Sequence, residues 1–197
     1  MLIDTEHLHH WMQAIRQSPE PMRTMDAFWS GQLRSKEWLI TALESTIVNP
    51  VSVDIHGGWV GVLASMLFQS NVPVTNIRSV DIDPLCQNIA TLMNKQEEID
   101  GRFQAITADM CSIPSNADLI INTSCEHITQ EQYDVWLSNI PSNSLLVLQS
   151  NNYNIDEHVR TATDLDNFKQ QCNINTIWTG ALELPMYTRW MIIGAKK

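Results

Sequence analysis

The chain contains 197 residues, of which 44% are hydrophobic and 17% are charged, and this balance predicts one globular domain with a full core. The net charge of -10 disfavours nucleic acid as a partner, because affinity for DNA and RNA rests largely on Lys and Arg. No apolar stretch reaches the roughly 18 residues that a membrane span needs, and the sequence starts without the basic region and apolar core of a signal peptide. We therefore expect a cytoplasmic protein without a membrane segment.

Residues 1–47 are predicted to be helical. The segment Ser18-Pro19-Glu20-Pro21 interrupts the pattern and separates two helices. Trp11, Met12 and Ile15 form one possible apolar stripe. A second stripe consists of Phe28, Leu33, Trp38, Leu39 and Leu43.

Short apolar runs rich in Val, Ile and Leu then alternate with helical stretches. Runs without polar alternation are typical of strands that are buried on both faces, as in a parallel sheet covered by helices. The predicted strands are Val51 to Val53, Asn76 to Val80, Phe103 to Thr107, Asp118 to Ile121 and Ser144 to Leu148. The predicted helices are Val62 to Ser70, Leu85 to Glu98 and Gln130 to Ser138. This alternation predicts a doubly wound α/β fold, in which ligands bind at the carboxyl ends of the strands.

The last part of the chain changes its pattern. Residues 154–170 are predicted to be a polar connection and a helix. Asn175 to Leu184 and Tyr187 to Ala195 are enriched in aromatic and β-branched residues and flank Pro185. We predict that these two stretches form an antiparallel hairpin that closes the sheet.

A cluster of glycines follows the first predicted strand. Three of the seven glycines lie in the segment from Asp54 to Gly61. Glycine accepts positive φ and has no Cβ, so it suits a sharp strand-to-helix turn that a ligand approaches. By itself this turn is compatible with dinucleotide-binding enzymes, methyltransferases and plain loops.

The order of several motifs narrows these possibilities. The pattern Asp54-x-x-Gly57-Gly58-x-x-Gly61 is followed by polar residues at the ends of the next three predicted strands, and then by the hairpin. Those residues are Asp81, Asp109 and Asn122. Together, over about residues 50–197, these motifs resemble the class I S-adenosylmethionine (SAM)-dependent methyltransferases. The resemblance implies a seven-stranded Rossmann-like sheet with its last strand antiparallel between the fifth and sixth. It also implies a single domain, residues 1–197, with an N-terminal helical lid over 1–47 and a SAM-binding core over 48–197.

The resemblance also implies cofactor contacts. Backbone of the glycine turn would pass beneath the methionine part of SAM, and Asp54 would orient its ammonium group. Asp81 would accept both ribose hydroxyls, since a carboxylate offers two oxygens to two adjacent donors. Asp109 would accept from the adenine amino group, and Asn122 would line the floor where methyl group and acceptor meet. The full predicted set is Asp54, His56, Gly57, Gly58, Trp59, Asp81, Ile82, Asp109, Met110 and Asn122.

The glycine turn departs from the family's usual Asp/Glu-x-Gly-x-Gly-x-Gly. His56 occupies the place of the first glycine and Val60 that of the third, which leaves Gly58 in register. The side chain of His56 either replaces the lost contact with the cofactor carboxylate or packs under the turn. A nicotinamide-dependent dehydrogenase is the alternative, but Asp54 would repel a pyrophosphate, and Asp109 and the hairpin would have no role in it.

Catalysis is expected at the end of the fourth strand. The sulfonium carbon of SAM is already electrophilic, so the protein mainly has to align an acceptor and remove its proton. Asn122, Glu126 and His127 are the predicted catalytic residues, with His127 as the base and Glu126 as its orienting partner or as a site for a substrate ammonium. The alternative is that Glu126 and His127 only begin the next helix. Cys125 is interpreted as a small buried thiol rather than a nucleophile.

Substrate contacts are predicted from two regions. Trp29, Gln32 and Lys36 lie in the predicted lid segment 1–47; the alternative is that the aromatic residues at helical spacing in this segment belong to the core. Asn151, Asn152 and Tyr153 end the fifth strand, where asparagine also has a role in turns. No metal is expected, because His7, His9 and His10 have no carboxylate or thiol partner and the four cysteines are widely spaced.

The sequence therefore predicts a SAM-dependent methyltransferase that modifies a small polar molecule at nitrogen, oxygen or sulfur and releases S-adenosylhomocysteine. Two alternatives stay open. One is transfer of another SAM-derived group, or modification of RNA or protein, on the same fold. The other is a SAM-binding partner subunit without catalytic activity. The acceptor and the oligomeric state are not predicted.

Overall fold

The computed structural model describes residues 5–197, so the first four residues of the predicted lid segment lie outside the described residues. The helices are α1 (Thr5–Gln17), α2 (Pro21–Asp26), α3 (Ser30–Glu44), α4 (Val62–Phe68), α5 (Pro84–Met93), α6 (Lys95–Ile99), α7 (Gln130–Ser138) and α8 (Leu165–Cys172). The strands are β1 (Val51–His56), β2 (Val74–Asp81), β3 (Phe103–Thr107), β4 (Leu119–Asn122), β5 (Leu145–Asn151), β6 (Asn175–Glu183) and β7 (Thr188–Ala195). A short 3-10 helix spans Cys125–His127.

The strand order of the seven-stranded sheet is β3-β2-β1-β4-β5-β7-β6. The last strand, β7, pairs antiparallel with both β5 and β6. The predicted α/β class, the seven strands and the inserted terminal hairpin are therefore confirmed. The chain divides into two compact units, Met1–Ala108 and Asp109–Lys197, which are called the first and second unit below.

In the first unit, β1, β2 and β3 are parallel, and buried apolar residues lie opposite one another along the strands. Val53 is paired with Ile77, which is in turn paired with Phe103. These residues have the apolar, β-branched or aromatic character that suits a strand covered on both faces. The core of the parallel sheet thus follows from the apolar runs in the sequence.

The N-terminal helices pack on this unit through aromatic residues. Trp11 of α1 donates its indole N–H to Ser65 Oγ at 2.8 Å and lies 5.3 Å, between ring centroids, from Phe28. Both rings pack against a buried apolar cluster to which α1, α5 and the glycine turn contribute. Trp11 thus has a core role. The predicted stripe is wrong at Met12, which is 51% exposed.

Two helix boundaries differ from the prediction. The N-terminal segment contains three helices in its described part rather than two, because the chain leaves helical geometry again at Trp29 before α3 begins. The predicted helix from Leu85 to Glu98 is divided at Asn94. The buried Asn94 amide donates to Ala90 O at 2.9 Å and to Gly61 O at 3.0 Å, so this side chain ends α5 and ties it to the glycine turn.

In the second unit, β4 and β5 are parallel and α7 and α8 cover a core with large buried rings. Helix α7 begins at a capping box, in which Thr129 and Gln132 bond to each other's backbone N–H groups. Tyr133 of α7 donates its hydroxyl to Cys172 O at 2.9 Å and thereby connects α7 to α8. The largest buried side chains of this core are Trp136, Tyr133 and Phe168.

The contact between the glycine turn and α5 gives a stability prediction. Gly61 has φ +81, and a Cβ placed there would lie 3.0 Å from Ala90 Cα and 2.7 Å from Asn94 Nδ2. Gly101 has a similar φ of +71 but has nothing within 4 Å of such a Cβ. The free energy of unfolding of both alanine variants should fall by about 1–2 kcal/mol because of backbone strain. The free energy of unfolding of Gly61→Ala should fall by roughly 1–3 kcal/mol more, because its Cβ would be overpacked against α5.

Denaturant unfolding of the two purified variants measures this difference. Equal losses for Gly61→Ala and Gly101→Ala would show that the approach of α5 to the turn has no energetic weight.

Candidate functional site

The turn after β1 contains several residues with left-handed backbone conformation and lies close to β2. Gly57 and Gly61 have φ +68 and +81, and Trp59 adopts φ +49, a conformation that is rare for a side chain of its size. Gly58 has another reason for lacking a Cβ, since one would lie 2.0 Å from Ser79 Oγ on β2. The turn is therefore held tightly against the carboxyl end of β2.

Asp81, at that end of β2, fixes the turn. Its Oδ2 accepts the backbone N–H of Trp59 at 2.7 Å, and its Oδ1 accepts that of Asp83 at 3.0 Å. A carboxylate has about four lone-pair positions, so these two bonds leave each oxygen able to accept another donor. Ile82, which follows, is 71% exposed. The arrangement provides an oriented acid next to an exposed apolar side chain.

Asp54 is placed differently from the prediction. It lies inside β1 rather than at the end of it, because the strand continues to His56. Asp54 is buried and opposite Arg78 in the sheet register, and Arg78 donates from Nε to Oδ1 at 2.8 Å and from its terminal nitrogen to Oδ2. This bidentate pair satisfies the carboxylate inside the sheet.

His56 is the last residue of β1 and is fully buried. Burial is the main cause that lowers the pKa of His56 to about 4. The charge of Asp54 opposes this effect by raising the pKa, and the charge of Arg78 lowers it slightly further. The imidazole is therefore neutral at pH 7. Its burial agrees with packing beneath the turn, whereas its contact with a cofactor stays a prediction.

In the second unit, the structure brings Met110 and Asn122 together. Asn122 is fully buried at the end of β4 and donates from Nδ2 to Met110 Sδ at 3.5 Å, while its Oδ1 accepts the N–H of Ser124 at 2.9 Å. Asp109 is exposed and accepts from Cys111 N at 2.8 Å. The amide of Asn122 thus stabilises the turn that leads into the 3-10 helix.

Glu126 is a buried acid with an organised environment. It is 1% exposed, and its Oε1 accepts from Asn151 Nδ2 at 2.6 Å and from Arg189 Nη2 at 2.9 Å. Arg189, 5% exposed, also donates to Gln149 Oε1 at 3.2 Å. Glu126 Oε2 has no hydrogen-bond partner among the described residues. A buried carboxylate requires hydrogen-bonding or charged partners, and the unpaired Oε2 indicates that Glu126 has a further partner.

His127 is exposed and lies close to a second histidine. Its ring centroid is 4.7 Å from that of His158 in an edge-to-face arrangement, and its Nδ1 lies 3.1 Å from Glu157 O. Glu126 and His127 lie in the short 3-10 helix Cys125–His127 that follows β4, with Glu126 in its first turn, whereas α7 begins at Gln130. They are thus presented on a short turn of their own.

Other predicted residues have more ordinary surroundings. Lys36 donates to Gln32 Oε1 at 2.9 Å along α3, and Trp29 precedes that helix and is 49% exposed. In the second unit, Asn152 Oδ1 accepts from Thr188 N at 2.8 Å, and Tyr153 lies 5.6 Å from the Tyr187 ring. Their contacts with a substrate stay predictions.

Cys125 agrees with the interpretation of an unreactive thiol. It is fully buried, and burial raises its pKa to about 12. Only a thiolate is a good nucleophile, so the thiol is inert at neutral pH.

Sequence reasoning missed two residues of this site, Arg189 and His158. Arg189 had a detectable signal, since it is a charge directly before the apolar run that forms the rest of strand β7. His158 lies in the polar connection after β5 and had none, because nothing in its spacing relates it to His127.

Comparison with known proteins defines the class of fold. No protein-family model matches the sequence, and no match was found among curated proteins. Solved structures do match, and they show that the chain has the class I methyltransferase fold. Among the described residues, no helix has the length and apolar character needed to cross a membrane.

The chain is similar to magnesium protoporphyrin IX methyltransferase from Synechocystis PCC 6803 with bound S-adenosylhomocysteine, at 14% identity over 96% of this chain and 94% of that chain, with a TM-score of 0.69. It is similar to the N-methyltransferase NodS from Bradyrhizobium japonicum WM9, at 13% identity over 85% and 98% of the two chains and a TM-score of 0.61. It is also similar to TrmK from M. capricolum in complex with S-adenosylhomocysteine, at 15% identity over 81% of this chain and 68% of that chain, with a TM-score of 0.59.

The buried His56 gives a pH-dependent stability. Between its ordinary pKa of 6.5 and its folded value of about 4, the unfolded chain binds a proton that the folded chain does not. Stability that is present above pH 6.5 is therefore lost as the pH falls towards 4. The loss should approach about 3 kcal/mol, at about 1.4 kcal/mol for each tenfold change in proton affinity.

Denaturant unfolding at a series of pH values measures this loss. His56→Asn should flatten the profile between pH 6.5 and 4, and His9→Asn, at an exposed position of α1, should not. Parallel profiles for the wild type and His56→Asn would contradict the assignment.

Proposed function

We propose that the chain is a SAM-dependent methyltransferase. The observation that carries this proposal is the carboxylate of Asp81, which the backbone of the glycine turn orients beside the exposed Ile82. The lone pairs left on both oxygens suit two adjacent ribose hydroxyls. The class I fold supports the proposal, since similar structures contain SAM or S-adenosylhomocysteine.

The turn itself is proposed to bind the methionine part of SAM. The positive-φ residues Gly57, Trp59 and Gly61 would direct backbone towards the ligand, and Gly58 lets the turn lie close against Ser79 of β2. Asp54 is proposed to act indirectly, because Arg78 already binds both of its oxygens. Asp109, Met110 and Asn122 in the second unit are kept as proposed contacts to adenine and to the methyl group.

The acceptor is proposed to be a small polar molecule, as two structural neighbours are named as methyltransferases of small molecules, magnesium protoporphyrin IX and mitomycin. The net charge of -10 also disfavours a nucleic-acid substrate. Asn122, Glu126 and His127 are the proposed catalytic residues, of which His127 is exposed and so accessible to an acceptor. Trp29, Gln32, Lys36, Asn151, Asn152 and Tyr153 are the proposed substrate contacts.

Cofactor binding can be tested without an acceptor. Calorimetry of the wild type with S-adenosylhomocysteine should show binding of one equivalent. Asp81→Asn keeps an oxygen that can accept from Trp59 but removes the charge, so it should weaken binding by about 1–3 kcal/mol, or roughly 5- to 150-fold. Asp100→Asn, which changes an exposed acid of the same unit, is the matched control and should bind like the wild type.

Unfolding curves of the three proteins show whether each variant is folded. Absence of heat with the folded wild type would refute SAM as the cofactor. Equal affinity in wild type and Asp81→Asn would leave the cofactor but remove Asp81 from the ribose site.

Group transfer is tested with SAM labelled either in its methyl group or in its carboxyl group. Methyl label should enter small molecules of a cell extract other than SAM, whereas carboxyl label should stay in SAM and S-adenosylhomocysteine. His127→Ala should reduce this transfer at least about tenfold while leaving affinity for S-adenosylhomocysteine unchanged, because general catalysis by one residue contributes about 10²–10⁴-fold.

Each other outcome identifies a different activity. Transfer of the carboxyl label would indicate aminocarboxypropyl transfer, and methyl label in RNA or protein would indicate a macromolecular acceptor. Tight binding without transfer to any fraction would support a non-catalytic partner subunit.

A further inference from the structure

The geometry points to a divalent metal site formed by Glu126, His127 and His158 in the second unit. One atom able to ligate a metal from each of the three residues lies within 4.8 Å of the others. Two imidazoles and a carboxylate within this distance need only small side-chain movements to share one ion at about 2.0–2.2 Å. The proposal rests on this unit alone and replaces the expectation that the protein has no metal.

The hydrogen bonds of the two histidines prepare them as ligands. His127 Nδ1 lies 3.1 Å from Glu157 O, and His158 Nδ1 lies 2.6 Å from Tyr153 O. A carbonyl oxygen only accepts, so each Nδ1 carries the hydrogen and each neutral ring keeps its lone pair on Nε2. Donation from the second ring nitrogen to a backbone carbonyl is the usual way in which proteins orient a histidine ligand.

Glu126 is the third proposed metal ligand. Its unpaired buried oxygen is an independent indication that a bound partner belongs at this place. The residue is 1% exposed, and its Oε2 has no hydrogen-bond partner among the described residues. Its other oxygen is held by Asn151 and Arg189. The carboxylate is therefore fixed by one oxygen, while the other is buried and available to a cation.

The guanidinium of Arg189 bonds to one of the two oxygens of Glu126. Its bonds go to Glu126 Oε1, Gln149 Oε1 and Thr123 O, and Glu126 Oε2 receives none of them. A carboxylate that bridges an arginine and a metal ion satisfies both of its oxygens.

The loop that carries His158 is tied to the 3-10 helix that carries His127. Arg160 donates its backbone N–H to Glu126 O at 3.1 Å and its Nε to Cys125 O at 3.2 Å. The Arg160 guanidinium also lies 4.2 Å from the ring centroid of Tyr133. These contacts hold residues that are 31 positions apart close together before any ion binds.

The ligand set selects the ion. Two imidazole nitrogens favour zinc or a similar first-row transition ion over magnesium and calcium, which prefer oxygen alone. Two histidines and a glutamate with an open position are a ligand set found in catalytic zinc sites. The role of the ion rests on the proposed function: the methyl acceptor would bind at the open coordination position through an oxygen or nitrogen atom. His127 then acts through the ion rather than as a free base.

Cobalt(II) is a suitable probe, because it takes zinc sites and reports ligation by visible absorption. Titration of tag-free, chelator-treated full chain should show one equivalent bound, and zinc should displace it. His127→Ala and His158→Ala should each weaken cobalt binding more than about tenfold. His9→Ala, which removes an exposed histidine of the first unit, is the matched control and should bind like the wild type.

No stoichiometric binding by the wild type, or equal affinity in the wild type and both histidine variants, would overturn the proposal. Glu126→Gln should also weaken binding, and if its buried pair with Arg189 makes it unfold, the two histidine variants decide. Calorimetry with S-adenosylhomocysteine on the same samples reports the proposed function separately. A protein that binds this nucleoside but no cobalt would refute the metal site alone.

Discussion

The hydrogen bond from the backbone of Trp59 to the carboxylate of Asp81 is the constraint on which the first unit's candidate site depends. Trp59 adopts a left-handed conformation, which costs about 1–2 kcal/mol for a residue with a side chain. A charge-assisted bond at 2.7 Å offsets part of that cost. The same bond orients Asp81 at the end of β2. One interaction therefore shapes the turn and positions the acid that we propose to bind ribose.

The departure of this turn from the family pattern has a structural explanation. His56 stands where a glycine is usual, yet its side chain is buried inside the unit and neutral, so it does not obstruct the turn. The freedom that the missing glycine would give is provided by Gly57 and Gly61, both at positive φ. Gly58 preserves the close approach to β2. A shifted set of glycines thus reaches a similar strand-to-helix connection.

In the second unit, burial of Glu126 organises the residues around the proposed acceptor side. Removing a carboxylate from water is expensive unless hydrogen bonds and opposite charge compensate it. Arg189 and Asn151 from neighbouring strands do so for one oxygen. The uncompensated oxygen is consistent with a site completed by a bound cation. Catalysis and metal binding would then share a single set of side chains.

The sequence by itself determined the α/β class and the parallel strands, because apolar runs of strand length record burial on both faces. Aromatic and β-branched enrichment predicted the terminal hairpin, and the family resemblance implied its insertion into the sheet. The sequence also placed Asp81 at a strand end and Glu126 and His127 after β4. The fold alone decided which distant residues meet. Arg78 reaches Asp54 through the sheet register, Asn94 divides a helix by bonding to the glycine turn, and Arg160 holds His158 beside His127. Local patterns report burial and backbone preference, whereas these contacts arise only when segments far apart in the chain are packed together.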